Sequence, residues 1–146
     1  MAVAVKKAVL WRKEIDYRPG MLADILGPLS EAGADLQVVM VYRYPGGTDT
    51  AAIELHPVSG RKPIAAAKAA GLAQSPIPIL LVEGDNRQGP GHAIARALGD
   101  AGINLSLLMA QVVGRRYSAL FGFDNETDAA KATALIKKAA APVRKK

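Results

Sequence analysis

The sequence predicts an α+β fold in which one β-α-β-β-α pattern occurs twice. The stretch Asp16-Tyr17-Arg18-Pro19-Gly20 is followed 69 positions later by Asp85-Asn86-Arg87-Gln88-Gly89. After each copy comes a helical pattern that closes on Ala-Gly, at Ala32-Gly33 and Ala101-Gly102. The same offset pairs further apolar residues: Ile25 with Ile94, Leu29 with Leu98, Leu36 with Leu105, and Met40 with Met109. A match at one fixed offset indicates a duplicated chain.

The first copy begins with a strand over residues 8–15, which are rich in strand formers and end at a turn signal. Pro19 suits the first position of a helix, whose apolar residues fall on one face and which ends in a left-handed cap at Gly33. Pro28 is expected to kink that helix or break its last turns. The remaining elements are a strand over 35–44, a hairpin loop over 44–49, a strand over 50–56, a helix over 61–72 and a short strand over 72–75.

The second copy repeats this order. Its predicted elements are a strand over 79–83, a helix over 90–102, a strand over 103–113, a turn over 114–116, a strand over 117–123, a helix over 125–139 and a short last strand over 142–144. We therefore expect two ferredoxin-like βαββαβ modules in tandem, at residues 7–75 and 76–143, each with an antiparallel sheet covered on one face by two helices.

Several central strands are apolar on both faces. Leu80 and Val82 alternate with Ile79 and Leu81, and the strand over 103–113 shows the same two-sided pattern. An antiparallel sheet with one solvated face would instead alternate apolar and polar residues. Because large exposed apolar patches mark interfaces, we expect the sheets to be covered by the sister module or by another chain, and the protein to be at least a homodimer.

Composition excludes several classes of protein. The 146 residues include no cysteine, which excludes disulfides and thiolate metal sites, and no apolar run has the length of a membrane span. His56 and His92 lack the spacing of metal ligands. Much of the formal net charge of +6 lies at the termini, so nucleic-acid binding is not expected. We expect a cytoplasmic protein without a metal or a cofactor.

The repeated loop has the chemistry of an amino-acid site. The start of a helix offers unpaired N–H groups to an anion, and glycine lets a ligand approach the backbone. Arg18 and Arg87 are candidates to clamp a carboxylate, and Asp16 and Asp85 to face an ammonium group. A purely structural interpretation is also open, in which Asp16 caps the helix, Pro19 starts it and Gly20 eases the turn.

On these residues the sequence resembles a tandem pair of ACT domains, the small ligand-sensing modules of enzymes of amino-acid metabolism. Asp16-Tyr17-Arg18-Pro19-Gly20 is similar to the family's Asp-x-Pro-Gly-like loop, whereas the second copy has Gln88 where proline is usual. The resemblance implies a non-catalytic sensor whose ligand lies between the loop of one module and the second strand of its neighbour. It would bring Asp35 and Gln37, or Asn104 and Ser106, near the opposite loop.

The resemblance also implies a free amino acid as ligand and, as a possible partner, an enzyme of amino-acid metabolism. The alternative function is a regulatory or structural subunit that binds no ligand and docks onto a biosynthetic enzyme. No residue is predicted to be catalytic. The predicted ligand-binding residues are Asp16, Tyr17, Arg18, Pro19, Gly20, Met21, Asp35, Gln37, Asp85, Asn86, Arg87, Gln88, Gly89, Asn104 and Ser106.

Overall fold

A computed structural model describes residues 3–46 and 49–141 of the chain. Contacts divide the chain into two compact units. The N-terminal module is Val9–Pro76, and the C-terminal module combines Ile77–Lys146 with Met1–Ala8. This division differs from the predicted limits of 7–75 and 76–143 at the start of the chain, where residues up to Ala8 go with the second module.

The elements follow the predicted α+β order, and the fold prediction is confirmed. In chain order they are β1 (Ala4–Ala8), β2 (Trp11–Asp16), α1 (Met21–Glu31), β3 (Val38–Arg43), β4 (Thr50–His56), α2 (Arg61–Ala69), β5 (Ala73–Gln74), β6 (Ile79–Asp85), α3 (Pro90–Asp100), β7 (Leu105–Val113), β8 (Arg116–Phe123) and α4 (Glu126–Ala139). The predicted strand over 142–144, and Gly47 and Thr48 of the hairpin loop, lie outside the described residues. Helix α1 continues past Pro28 to Glu31, so its last turn is not broken.

Each module contains one antiparallel four-stranded sheet. The strand order is β3-β4-β2-β5 in the N-terminal module and β1-β6-β8-β7 in the C-terminal module. Strand β1 pairs with β6 over Ala4–Ala8. It thus occupies the position in the C-terminal sheet that β5, beside β2, occupies in the N-terminal sheet. The sequence did not predict β1, because a five-residue segment with two lysines carries little strand signal of its own and its partner lies far along the chain.

The helices of each module cover one face of its sheet. In the N-terminal module Trp11, Ile15, Ile53 and Leu55 project from the strands and pack with residues of α1 and α2. The corresponding core of the C-terminal module consists of Leu80, Val82, Ile94, Leu98, Phe121, Phe123 and Ile136, with further smaller residues. In the described residues no helix is long and apolar enough to cross a membrane.

Central and edge strands differ in how far their apolar side chains are buried. On the central strand β6, Ile79 and Leu81 are buried as well as Leu80 and Val82. On the edge strand β7, by contrast, Leu108, Val112 and Val113 are 53%, 54% and 68% exposed. The edge strand β3 of the N-terminal sheet also exposes Val39 and Tyr42, so exposed apolar side chains lie along one edge of each sheet.

Candidate functional site

Both copies of the repeated loop lead into a helix through a glycine in the left-handed region. Gly20 caps α1 with φ of 88°, and Gly89 caps α3 with φ of 104°, an angle that residues with a side chain rarely adopt. Neither cap has a side-chain hydrogen bond. The structural interpretation in which Asp16 caps α1 is therefore wrong, and Pro19 precedes the helix instead of starting it.

The uncapped ends leave backbone donors available. In α1 the amide of Met21 donates to the carbonyl of Arg18 at 3.2 Å, and that of Asp24 donates to Gly20 at 3.0 Å. In α3 the amide of Ala93 donates to Gly89 at 3.0 Å. Within residues 3–46 and 49–141, no acceptor pairs with the N–H groups of the second and third residues of either helix, which are Leu22 and Ala23 in α1 and Gly91 and His92 in α3. Two N–H groups at each helix start can therefore bind an anion.

Each loop also lines a pocket in its own module. The pocket of the N-terminal module has a volume of about 310 Å³. Five of its lining residues belong to the predicted site, namely Tyr17, Arg18, Pro19, Gly20 and Met21. The pocket of the C-terminal module is larger, about 390 Å³, and includes Asn86 and Arg87 from the predicted site. Asp85, Gln88 and Gly89 do not line it.

The charged side chains of the two loops have different surroundings. Arg87 Nη2 donates to the carbonyl oxygens of Ala140 and Ala141, both at 2.9 Å, at the end of α4. Arg116 Nη1 lies 3.3 Å from Asp85 Oδ1 across the β6–β8 pair. In the described chain, the side chains of Asp16 and Arg18 make no hydrogen bond or ion pair. The charges of the first loop are therefore free to meet a ligand.

Lys13 has the role in the N-terminal module that Arg87 has in the C-terminal module, so Arg18 is not needed for it. Lys13 Nζ donates to the carbonyl oxygen of Ala70 at 2.9 Å, so Lys13 holds the end of α2 as Arg87 holds the end of α4. A cation at this position complements the negative end of the helix dipole. The equivalent position in the second copy is the apolar Val82, which cannot do so.

The four predicted residues after the first helices lie away from both loop pockets. Asp35 and Gln37 are exposed just before β3, and the amide of Gln37 donates to the carbonyl of His56 at 2.8 Å. Asn104 is exposed just before β7, and Ser106 Oγ donates to Asp124 Oδ1 at 2.7 Å. None of the four lines the pocket of its own module. Their meeting with an opposite loop stays a prediction.

Gly84 and Tyr117 form part of the C-terminal site that the sequence did not predict. They are paired across β6 and β8, and a Cβ built on Gly84 would lie 2.7 Å from the Tyr117 hydroxyl oxygen. Burial raises the pKa of Tyr117, the positive charges of Arg87 and Arg116 oppose that rise, and Asp85 adds to it. The sequence signal for this pair was Gly84 itself, a glycine within a strand at the position where the first copy has Ile15.

A separate polar cluster lies on the sheet face of the N-terminal module that points away from its helices. Glu54 is 1% exposed, and Tyr42 donates its hydroxyl to Glu54 Oε2 at 2.9 Å. The Arg12 guanidinium lies 3.9 Å from Glu54 Oε1 and also donates to the Tyr44 hydroxyl. Burial, followed by the bond to Glu54, raises the pKa of Tyr42. Neither here nor at any other place in the described residues do three acidic or histidine side chains converge to hold a metal.

Neither a protein-family profile nor a curated protein matches the sequence. Solved structures do match the fold. A Bacteroides thetaiotaomicron protein gives a TM-score of 0.75 at 13% identity, with 92% of this chain and 89% of that chain covered. The ligand-free regulatory subunit of aspartate kinase from Thermus thermophilus gives 0.62 at 16% identity, covering 95% and 97%. A putative C-terminal regulatory domain of aspartate kinase from Porphyromonas gingivalis gives 0.53 at 14%, covering 95% and 96%.

The fold is ACT-like. The two antiparallel four-stranded sheets and four helices match tandem ferredoxin-like modules, as in the regulatory subunits of aspartate kinase. At identities of 13% to 16%, this likeness establishes the fold and assigns neither a role nor a residue.

Proposed function

We propose that this protein is a non-catalytic sensor that binds an amino acid at its strand–helix loops and passes that occupancy to an enzyme of amino-acid metabolism. One observation carries the proposal: both copies of the Asp-x-Arg-x-Gly loop open a pocket at a helix start that no side chain caps. A helix start of this kind is complementary to a carboxylate.

The first loop supplies complementary charges for both ends of an amino acid. Its ligand's carboxylate would accept from the amides of Leu22 and Ala23, with Arg18 beside them, and Asp16 at the end of β2 is the candidate for the ammonium group. Tyr17, Pro19, Gly20 and Met21 shape the pocket. An interface with another module would complete the site with Asp35 and Gln37, or with Asn104 and Ser106.

The residues around the loops favour binding over catalysis. The N-terminal pocket is lined by one arginine together with glycine, proline, tyrosine and aliphatic side chains. An arginine stays protonated at neutral pH, so it orients an anion without transferring a proton. The regulatory subunits and the putative regulatory domain of aspartate kinase among the structural neighbours support the same role.

The ligand-free alternative is favoured by one feature, the exposed apolar edge strand β7. Leu108, Val112 and Val113 expose about half or more of their surface there, as an interface residue would before its partner binds. A subunit that only docks onto an enzyme needs such a surface and no occupied pocket.

A thermal-shift screen of the common amino acids separates these two functions. Binding to the folded chain alone stabilises it by about 2.7 kcal/mol at a hundred times the dissociation constant. We expect at least one amino acid to raise the melting temperature. No shift with any of them would favour the ligand-free subunit.

Paired variants then test whether the helix starts bind the carboxylate. Leu22→Glu with Gly91→Glu places a carboxylate at the second position of α1 and α3, where it competes with the ligand and suits the helix dipole. We expect this double variant to fold and to lose the shift. Leu22→Gln with Gly91→Gln, which has the same size without the charge, should keep most of it. Equal behaviour of the two pairs would contradict carboxylate capture at the helix starts.

A further inference from the structure

The pocket of the C-terminal module is an apolar groove between α3 and β7. Its floor includes Phe121 and Ala119 of β8, which are 5% and 4% exposed. Leu108 of β7 pairs with Phe121 and projects from the same face of the sheet, yet it is 53% exposed. The helices therefore cover β8 and leave β7 uncovered. A volume of about 390 Å³ falls within the range of small-molecule sites.

Small side chains deepen this groove relative to its counterpart in the N-terminal module. Ala110 pairs with Ala119 on β7 and β8, whereas Val41 pairs with Ile53 on β3 and β4. The offset of 69 residues makes Val41 the equivalent of Ala110. Val41 lines the pocket of the N-terminal module, which measures about 310 Å³, and its side chain is larger than that of Ala110. The duplicated pockets are therefore built for ligands of different shape.

Gly84 and Tyr117 define the end of the groove nearest the loop. The Tyr117 ring lies against the backbone of Gly84, with less room than a methyl group would need, so the ring does not fill the groove. In the N-terminal module the equivalent strand pair is Ile15 with Ala51. The Tyr117 hydroxyl has no hydrogen-bond partner in the described residues, and it is available to a ligand.

The groove is polar at one end only. Tyr117 pairs with Gly84 at the loop end of β6, where Asn86, Arg87 and the unpaired amides of α3 also lie. Away from the loop, β8 continues on the same face with Ala119 and Phe121. These residues pair with Ala110 and Leu108 of β7, which are also apolar. Arg87 is fixed by the carbonyl groups at the end of α4, so its charge is held at the mouth of the groove.

From this arrangement we propose that the C-terminal groove binds an amino acid with a branched or aromatic apolar side chain. Its carboxylate meets the start of α3 and the Tyr117 hydroxyl, and its side chain lies over Ala110 and Ala119. This proposal adds a ligand class to the sensor function proposed above. It rests on that function for the statement that the ligand carries an amino group. In this proposal Ala110, Ala119 and the pair of Gly84 with Tyr117 determine which amino acid binds. Charged side chains such as those of aspartate and lysine would lose their hydration in the groove without a partner.

Calorimetry on the full chain tests the proposal with five probes: leucine, phenylalanine, aspartate, lysine and 4-methylpentanoate, which is leucine without its amino group. We expect saturable binding of leucine or phenylalanine, with aspartate and lysine at least about tenfold weaker because they bury an unpaired charge. Ala110→Leu fills the groove from an exposed position on β7 and should weaken leucine binding by about tenfold or more. Ala73→Leu, the same substitution at an exposed position on β5 that lines neither loop pocket, is the matched control and should leave leucine binding unchanged.

The outcomes separate this inference from the proposed function. Aspartate or lysine binding in preference to leucine would overturn the inference and leave the amino-acid sensor in place. Equal binding of 4-methylpentanoate and leucine would support the groove and overturn the amino-acid function. Leucine binding unaffected by Ala110→Leu would overturn the inference. A change of mass by light scattering in Ala110→Leu, with no probe bound to the wild type, would show that a second copy occupies the groove, and would overturn it as well.

Discussion

Gly84 shows how a single residue controls the shape of the C-terminal site. It is the second-to-last residue of β6, where a side chain would ordinarily improve the strand. A Cβ there would lie 2.7 Å from the Tyr117 hydroxyl oxygen and 2.8 Å from two ring carbons. Because a Cβ at these distances would force the Tyr117 ring to shift, the absence of a side chain at Gly84 permits the observed position of Tyr117.

Gly84→Ala is accordingly expected to lower the free energy of unfolding by about 1–3 kcal/mol, the usual cost of overpacking. Gly99→Ala is the matched control. Gly99 lies within α3 with no atom within 4 Å of an added Cβ, and alanine there should stabilise by up to about 1 kcal/mol. Urea unfolding followed by circular dichroism measures both. In a Tyr117→Ala background the cost of Gly84→Ala should disappear, and an unchanged cost would show that the ring is not its cause.

At the scale of elements, each module secures the end of its second helix with a cation from a different place. In the N-terminal module Lys13 reaches Ala70 from β2, and in the C-terminal module Arg87 reaches Ala140 and Ala141 from the loop. Arg18 and Arg87 therefore have different roles, because only Arg87 donates hydrogen bonds to the carbonyl groups at the end of a helix.

Arg87→Ala should destabilise the chain by about 1 kcal/mol, since it removes hydrogen bonds from a charged but partly exposed group at a helix end. Arg18→Ala should change the free energy of unfolding by less than about 0.5 kcal/mol, as for a surface residue without partners. The two variants are compared by denaturant titration of the unliganded protein. Equal losses at the two positions would mean that the bonds to α4 contribute nothing to stability.

At the scale of the whole molecule, the two edges of the C-terminal sheet are unlike each other. Strand β1 places Lys6 and Lys7 at one edge, and lysine on an edge discourages pairing with another chain. Strand β7 at the other edge has nine residues with no charge and no proline, and three of its aliphatic side chains are exposed. We propose that two copies form a homodimer through the backbone edge of β7 and Val113, which lies on the face opposite the groove.

Light scattering at micromolar concentration should then give twice the chain mass of 15.3 kDa. Val113→Lys on β7 should give a single chain, because the lysine charges of the edge would repel its partner. Val9→Lys, an exposed position outside the strands, adds the same charge as a control and should remain dimeric. A wild-type protein that is already a single chain would contradict the proposal.

The elements were predictable because their signals are local. The strand over 50–56, the glycine that follows the first helix of each copy and the repeated loop all depend on residues close together in the chain. The structure accordingly places β4 at the predicted residues Thr50–His56 and begins a helix just after each loop. The positions of Tyr17, Arg18 and Asn86 beside pockets follow from that placement.

The sequence by itself thus determined the duplication, the element order and the two loops at helix starts. Only the tertiary structure decided which partner β1 takes, that Arg87 holds α4 while Arg18 is free, and that Gly84 and Tyr117 shape a groove. These features join residues that are 33 to 79 positions apart, such as Gly84 with Tyr117 and Ala4 with Glu83. A local sequence pattern does not predict such pairs, because strand register and side-chain packing determine them only when the whole module folds.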